Sequence, residues 1–433
     1  MLSPTIYFFS FLIMGVAAVP TRPTTDDPHR SHLSRKALPE DWYHDQDHPV
    51  HALFKRSHQG GSDYAPVGTP AWANGYPPGP PDPDLLPAEW VNALDAAVAA
   101  GKIPDIPQST NTQGVSPTYP FGVNPSSPQV CSSTYKCRIP GAIWDSPDGV
   151  FASSFDDGPT PSTPMLVDFL TSVNQTTTHF MIGIKMLYHP TQLLAIINSG
   201  NDLAVHTWTH PYMTTLNNLQ IVGQLGWTME MIYNSTGGRV AKYWRPPYGD
   251  SDVRVSAIAK EVFGLQTVIW NYDTDDWNGT PQSIGTAMTG FLASPKSPGL
   301  MVLQHELTDM MVNAFIAAFP QIISNGWSFA SLAKALGDGR AYQNSQNSDS
   351  EDVYPDGIVF GAEPSNTTEL TASPTPTGSS TYSAISPSAS AIAAIGVGLG
   401  STKSSAALRI ILSTSARISF LISCVVSVLI LSS

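Results

Sequence analysis

The chain has 433 residues, enough for one large domain or two medium ones with tails, and its 38 prolines and 33 glycines point to stretches outside any compact body. Charged residues are only 13% of the total, and 21 Lys and Arg against 34 Asp and Glu leave a formal charge of -13. That balance repels phosphate backbones and offers no basic stripe, which excludes nucleic acid as a partner.

Residues 1–19 read as a signal peptide: MLSPTIYFFSFLIMGVAAVP has an apolar core and small residues at Ala17 and Ala18 where a peptidase can cut, although its start lacks Lys and Arg. Residues 20–85, rich in Pro, His, Asp and Gly and without a sustained period, read as a flexible leader or propeptide, with Lys55-Arg56 as a processing site. His44, His48 and His51 have helical spacing, but Pro49 interrupts that turn, so a solvated tract fits better than a ligand set. Residues 86–127 hold an amphipathic helix, PAEWVNALDAAVAAG over 87–101, with Pro at its start and Gly at its end, followed by a linker.

Cys131 and Cys137, in CSSTYKC, are expected to form a disulfide in an oxidising compartment, because the third cysteine, Cys424, lies in the C-terminal tail. Sequons at Asn174, Asn234, Asn278 and Asn366 suit an exported glycoprotein, although such triplets also occur by chance.

The main domain is placed at 128–340. There, short runs rich in β-branched and aromatic residues (GVFASSF, THFMIGI, DLAVH, LQTVIW, GLMVLQ) alternate with helical segments at 162–173, 191–199, 215–234, 252–263, 281–293 and 310–324. Alternation of this length implies an α/β fold with a parallel sheet, doubly wound or closed into a barrel. Residues 341–404 read as a Ser/Thr/Pro-rich stalk, and 405–433 as a glycolipid-anchor signal that is removed. Ser404 is the attachment candidate: Ser404-Ser405-Ala406 precede a spacer with Arg409 and Arg417 and an apolar run at 418–431, which is short for a spanning helix. A plain tail anchor is the alternative.

The unusual polar residues fall at or just after the C-terminal ends of the strand-like runs: Asp156-Asp157, His206 with His210, Arg245, Asp276-Trp277 and His305. In a parallel barrel that end is where catalytic groups converge. HTWTH places two imidazoles four residues apart, which in a helical turn share a face and can grip one cation, although two structural histidines are as common. One carboxylate of the Asp156-Asp157 doublet completes three protein ligands, the usual catalytic arrangement, and the other is free to act as base toward an attacking water. Standing alone, the doublet more often marks a strand-end turn. His305 in LQHE is a candidate acid if Asp276 hydrogen-bonds its ring, and Arg245 in WRPPYGD can hold the base ionised. Tyr248 and Trp277 offer flat faces for sugar rings or are core aromatics.

SFDDGP, HTWTH, RPPY, DTDDW and LQHE, in that order, resemble the motifs of the polysaccharide deacetylase family, carbohydrate esterase family 4. The export signal, stalk and anchor signal are similar to those of the fungal cell-wall chitin deacetylases within it. The resemblance covers the central half of the chain. It implies a distorted (β/α) barrel of about seven strands rather than the usual eight. By position it implies Asp156 as catalytic base; Asp157, His206 and His210 as ligands to one divalent ion, Zn2+ or Co2+; and His305 as general acid. Arg245 then orients the base, Asp276 tunes the acid, the backbone N–H of Tyr248 donates to the oxyanion, and Trp277 and Leu303 surround the acetyl pocket. Ser154 stands where Thr is common, and Pro247 occupies a tolerant position, so no functional group is lost.

The resemblance implies N-deacetylation of chitin or chito-oligosaccharides by a monomer held at the membrane and wall through its anchor. The alternatives are a wall-anchored carbohydrate-binding protein without turnover, and a deacetylase of another polymer such as acetylated xylan or peptidoglycan.

Overall fold

The computed structural model describes residues 48–54, 64–112 and 115–344. The expected signal peptide, Lys55-Arg56, the stalk beyond residue 344, Asn366, Ser404 and the anchor signal lie outside them. Among the described residues no helix is long and apolar enough to cross a membrane.

Helices α1 (Val50–Leu53), α2 (Pro70–Ala73) and α3 (Ala88–Ala99) precede the sheet. The chain then alternates through β1 (Val150–Gly158), α4 (Thr163–Ser172), β2 (Thr178–Met181), α5 (Gly183–Tyr188), α6 (Pro190–Asn198), β3 (Asp202–Val205), α7 (Asn218–Ser235), β4 (Tyr243–Trp244), α8 (Val253–Phe263) and β5 (Gln266–Thr267). It closes with β6 (Tyr272–Asp273), α9 (Pro281–Leu292), β7 (Val302–Leu303), α10 (Asp309–Ser324), β8 (Ser328–Ser331) and α11 (Leu332–Ala335).

All strand pairs are parallel, in the order β5-β4-β3-β2-β1-β8, with β6 beside β7. The sheet curls back on itself. Phe151 and Asp156 of β1 bridge Leu300 and His305 on one edge, while β8 and then β2 pair in succession along the other. Because β5 and β6 are close neighbours on one short run, the chain links the far end of the large sheet to β7 and so to β1. A half-buried antiparallel sheet would alternate polar and apolar; β1 is instead buried along nearly its whole length, as a parallel strand covered on both faces must be. Phe151 and Phe155 pack with α4, α9 and α10, whereas Ala152 joins the cluster formed with α3, α7 and α8.

The expected helices form within a few residues of their anticipated ends, and local caps explain several: Asn217 and Gln220 make a capping box on α7, and Asp252 caps α8 through Val255 N. Gly226 of α7 admits a close neighbour, since a Cβ there would lie 2.4 Å from the Trp90 ring of α3.

Two expected boundaries are corrected. The described parts of the 20–85 leader are not loose: Val50, Leu53, Phe54 and Trp72 are buried in the main core. Phe54 meets the Trp90, Tyr233 and Phe263 rings, Trp72 Nε1 donates to Ser235 Oγ at 3.0 Å, and Tyr76 stacks on Trp208. Single large side chains plug separate hollows here, a mode of packing that leaves no period to read. His48 is no ligand, its Nε2 lying 2.8 Å from the Lys260 carbonyl; His44 and the side chain of His51 lie outside the described residues. At the other end the folded body runs past 340: Tyr342 bridges Ala241 antiparallel, and the Asn344 side chain accepts from Val240 N at 2.9 Å.

The linker after α3 is likewise engaged. Ser109 N donates to the Thr214 carbonyl at 3.0 Å, and Tyr119 Oη donates to Asp252 Oδ2 at 2.8 Å.

Candidate active site

The C-terminal ends of β1, β3, β4, β6 and β7 carry, in turn, Asp156-Asp157, His206, Arg245, Asp276 and His305. Strand geometry therefore gathers residues far apart in sequence at one rim.

β1 ends in an irregular turn. Its register with β2 shifts between Asp156 and Gly158, and Asp157 has φ 71, a left-handed conformation that Asp tolerates better than most residues. The irregularity lets neighbouring carboxylates aim differently. Asp156 Oδ1 accepts from Arg245 Nη1 at 2.5 Å, while Asp157 Oδ1 lies 3.3 Å from His206 Nε2 and 3.1 Å from His210 Nε2. Gly158 is required by close approach: an added Cβ would sit 2.3 Å from Glu306 Oε1 and 2.6 Å from Met181.

The two histidines do not share a helical turn, as their spacing suggests. Thr207 and His210 have φ 66 and 62, and the segment is a loop. Its N–H groups are satisfied from outside: Gln224 of α7 accepts from both Trp208 N and Thr209 N at 2.9 Å, and Thr207 Oγ1 accepts from His210 N. His206 Nδ1 lies 2.7 Å from the Arg245 carbonyl; since a carbonyl only accepts, Nδ1 carries the hydrogen and Nε2 presents its lone pair toward Asp157.

Asp157, His206 and His210 bring their ligand atoms within 4.8 Å of one another. Asp157 Oδ1 is buried with no aligned hydrogen-bond donor, an arrangement that is costly unless a cation completes it. Burial opposes charge on Asp157, but His206 and His210, when their rings are protonated, hold its pKa well below the usual carboxylate range. The donor set thus fits a divalent metal ion.

Arg245 is fully buried, stacks its guanidinium over Phe180 at 4.1 Å, and donates from Nη2 to Ser154 Oγ at 3.1 Å. Ser154 thereby fills the position where Thr is common without losing the acceptor. Burial lowers the Arg245 pKa, and Asp156 opposes that shift.

His305 is gripped twice by Asp276, which accepts from its backbone N at 2.8 Å and from its Nδ1 at 2.6 Å. Burial disfavours the charged ring, yet Asp276, with Asp156 and Asp157 farther off, outweighs it and pushes the pKa up to about 9. Trp277 follows Asp276 and is 60% exposed, whereas Leu303 is buried in β7 two residues before His305. Tyr248, at φ 59, lays its ring 4.6 Å from that of His210.

Several residues at this rim carry no sequence signal of their own. Lys185 of α5 donates to the Asp157 carbonyl at 2.9 Å. Glu306, beside His305, is fully buried and bonds His179 Nδ1 at 2.7 Å and Thr163 Oγ1 at 2.5 Å. Asp250 accepts from Thr134 Oγ1 at 2.7 Å and from Thr214 N at 2.8 Å, tying three loops together. Only burial and hydrogen bonding within the fold mark such residues out.

Cys131 and Cys137 form the expected disulfide, and its loop braces the Tyr248 turn: Ser133 Oγ donates to the Gly249 carbonyl at 2.7 Å. Of the sequons, Asn174 and Asn278 are exposed, but Asn234 Nδ2 donates to Tyr76 Oη at 2.8 Å and Glu230 Oε1 at 2.9 Å.

Residues 145–268 match the family model described as polysaccharide deacetylase. The chain is 39% identical over 314 residues to chitin deacetylase 3 of Cryptococcus neoformans var. neoformans serotype D, spanning 69% of this chain and 73% of that one. It is 42% identical over 126 residues to chitin deacetylase 1 of Saccharomyces cerevisiae, spanning 29% of this chain and 40% of that one. Among solved structures it is similar to the family 4 carbohydrate esterase from Streptomyces lividans in complex with acetate, at 30% identity and a TM-score of 0.38, spanning 42% of this chain and 91% of that one.

Proposed function

Because the chain belongs to the polysaccharide deacetylase family, we propose that it is a metal-dependent chitin deacetylase, hydrolysing N-acetyl groups of β-1,4-linked N-acetylglucosamine to release acetate and leave chitosan. The observation that carries this reading is the convergence of three parts at one rim: the Asp157, His206 and His210 donor set, the Asp156–Arg245 pair and the Asp276–His305 pair.

Asp156 is the general base. Oriented by the buried Arg245, which donates to its Oδ1, it takes a proton from the water that attacks the acetamide carbonyl carbon. Asp157, His206 and His210 would hold a Zn2+ or Co2+ ion, which when bound would supply Lewis acidity at this rim. The Tyr248 N–H donates to the carbonyl oxygen as it becomes negative. His305, protonated at neutral pH through Asp276, gives its proton to the amide nitrogen as the C–N bond breaks, so the amine leaves neutral. Trp277 and Leu303 flank the acetyl group. Lys185, donating to the Asp157 carbonyl, holds the left-handed turn that separates the aims of the two carboxylates.

Action outside the cell is supported by the Cys131–Cys137 disulfide, which suits an oxidising compartment, and a place at the membrane and wall is proposed from the anchor-like C-terminal sequence alone. The catalytic domain is proposed to act as a monomer.

The test is acetate release from chitin oligomers by the protein after chelation and after zinc or cobalt is restored. Release that requires the metal, and falls about 100- to 10,000-fold in Asp156→Asn with the fold retained, is the expected result. An Asp156→Asn variant that deacetylates normally overturns the assignment.

A further inference from the structure

Tyr248 and Tyr212 come from different loops, yet their rings are stacked with centroids 4.1 Å apart and planes 20° from parallel. Tyr212 lies two residues beyond His210, and the Tyr248 ring also meets the His210 ring, so the pair stands directly beside the metal-donor set. Although one face of Tyr248 is laid on Tyr212, 55% of the residue remains open to solvent. Burial does not account for such an aromatic pair: a ring recruited for the core is covered, and this one is presented.

The presentation is also stiff. Tyr248 occupies a short turn closed by Gly249 N and Asp250 N donating to Pro246 and Pro247 carbonyls at 3.0 and 2.9 Å. Asp250 then accepts from Thr214 N and Thr214 Oγ1, binding the Tyr248 turn to the loop that carries Tyr212. Ser133 and Thr134 of the disulfide loop brace the same turn from behind, at Gly249 and Asp250. A tyrosine has few rotamers to lose, and one already fixed on a partner loses almost none on binding.

We propose that the Tyr212–Tyr248 stack is a sugar-binding platform, seating the pyranose ring next to the one whose acetamide faces His206 and His210. This rests on the reading of the site as a deacetylase of a β-linked hexosamine chain. The axial C–H face of such a sugar is flat and apolar and matches an exposed aromatic face, whereas its hydroxyl rim stays in water. The platform lies on the His210 side of the site, away from the Asp276–His305 pair of the proposed acid, so it adds affinity along the chain and not at the acetyl group. It selects polymers and longer oligomers over single sugars.

The test uses the full-length chain carrying Asp156→Asn, so that bound oligomer is not consumed, and measures chitopentaose binding by titration calorimetry with zinc present. Adding Tyr212→Ala is expected to weaken binding about 10-fold, the size of one lost aromatic contact, and adding Tyr212→Phe to restore it. If the parent binds chitopentaose and Tyr212→Ala binds it equally well, the platform is overturned while the substrate reading stands. If the parent binds no chito-oligomer, the substrate reading and the platform fall together.

Discussion

His305 and Asp276 pose the clearest question at the scale of single residues, because the two ends of one carboxylate hold both the backbone and the ring of the proposed acid. The raised pKa means that His305 keeps its proton up to about pH 9 and loses it as the pH rises through that value. In Asp276→Asn the partner charge is gone and burial acts against the imidazolium, so the pKa falls toward or below the ordinary 6.5. The alkaline limb of kcat against pH should move down accordingly, leaving the variant most impaired near pH 8 and least impaired near pH 5.5. A pH profile whose limb stays in place would remove Asp276 from the proton-transfer chemistry. Gly158 gives a second, steric prediction. Since a Cβ there meets Glu306 and Met181 well inside contact distance, Gly158→Ala should cost about 1–3 kcal/mol in a denaturant melt and weaken zinc binding by displacing the Asp157 turn. Unchanged stability and affinity would mean that the Glu306 side chain yields freely.

At the scale of elements, the disulfide loop shows how a short local constraint reaches the site. Ser133 and Thr134 place hydrogen bonds on Gly249, Ser251 and Asp250, all within three residues of Tyr248. Replacing both cysteines by serine in Cys131→Ser/Cys137→Ser removes a loop constraint worth about 2–3 kcal/mol in the chain-entropy view. The expected outcome is a lowered melting temperature together with weaker oligomer binding, with the zinc affinity of Asp157, His206 and His210 largely kept, because that set is held by β1, Gln224 and Arg245. Loss of zinc affinity in equal measure would show that the rim loops fold as one unit. The same elements show what could be read in the sequence. The amphipathic helices and the longer strands announce themselves by period, but β4 is two residues long and exists only because Val205 and Thr267 flank it. The spacing in HTWTH belongs to a helix, while the loop that brings His206 and His210 together depends on Gln224, sixteen residues away from Trp208. Asp156, Asp157, Arg245, Asp276 and His305 were legible because chemistry concentrates unusual residues at strand ends; Asp250, Glu306 and Lys185 look ordinary until the fold buries or aims them.

At the scale of the whole molecule, the segment before α3 changes what the minimal folded unit is. Composition alone makes residues 20–85 a leader to be discarded, because Pro, Gly and His dilute its few large apolar side chains below any periodic signal. Yet Phe54 closes against Trp90, Tyr233 and Phe263, and Tyr76 covers Trp208, whose Nε1 donates to the Pro77 carbonyl at 3.1 Å. Trp208 sits between His206 and His210, so this cover supports the metal-donor loop from its far side. Trp72→Ala should cost about 3–5 kcal/mol, the usual range for an aromatic deleted from a core. Deleting residues 1–86 removes Phe54, Trp72 and Tyr76 at once and uncovers the aromatic faces of α3 and α7, so it should cost more than Trp72→Ala alone and lower both melting temperature and zinc affinity. Thermal melts of the full chain, Trp72→Ala and the truncated chain, with zinc titrations of each, decide the matter. Coincident melting of all three would return the segment to the status of a leader; a graded loss makes it part of the catalytic body, and makes cleavage at Lys55-Arg56 a step that severs the Val50 and Phe54 plug from the rest of the chain.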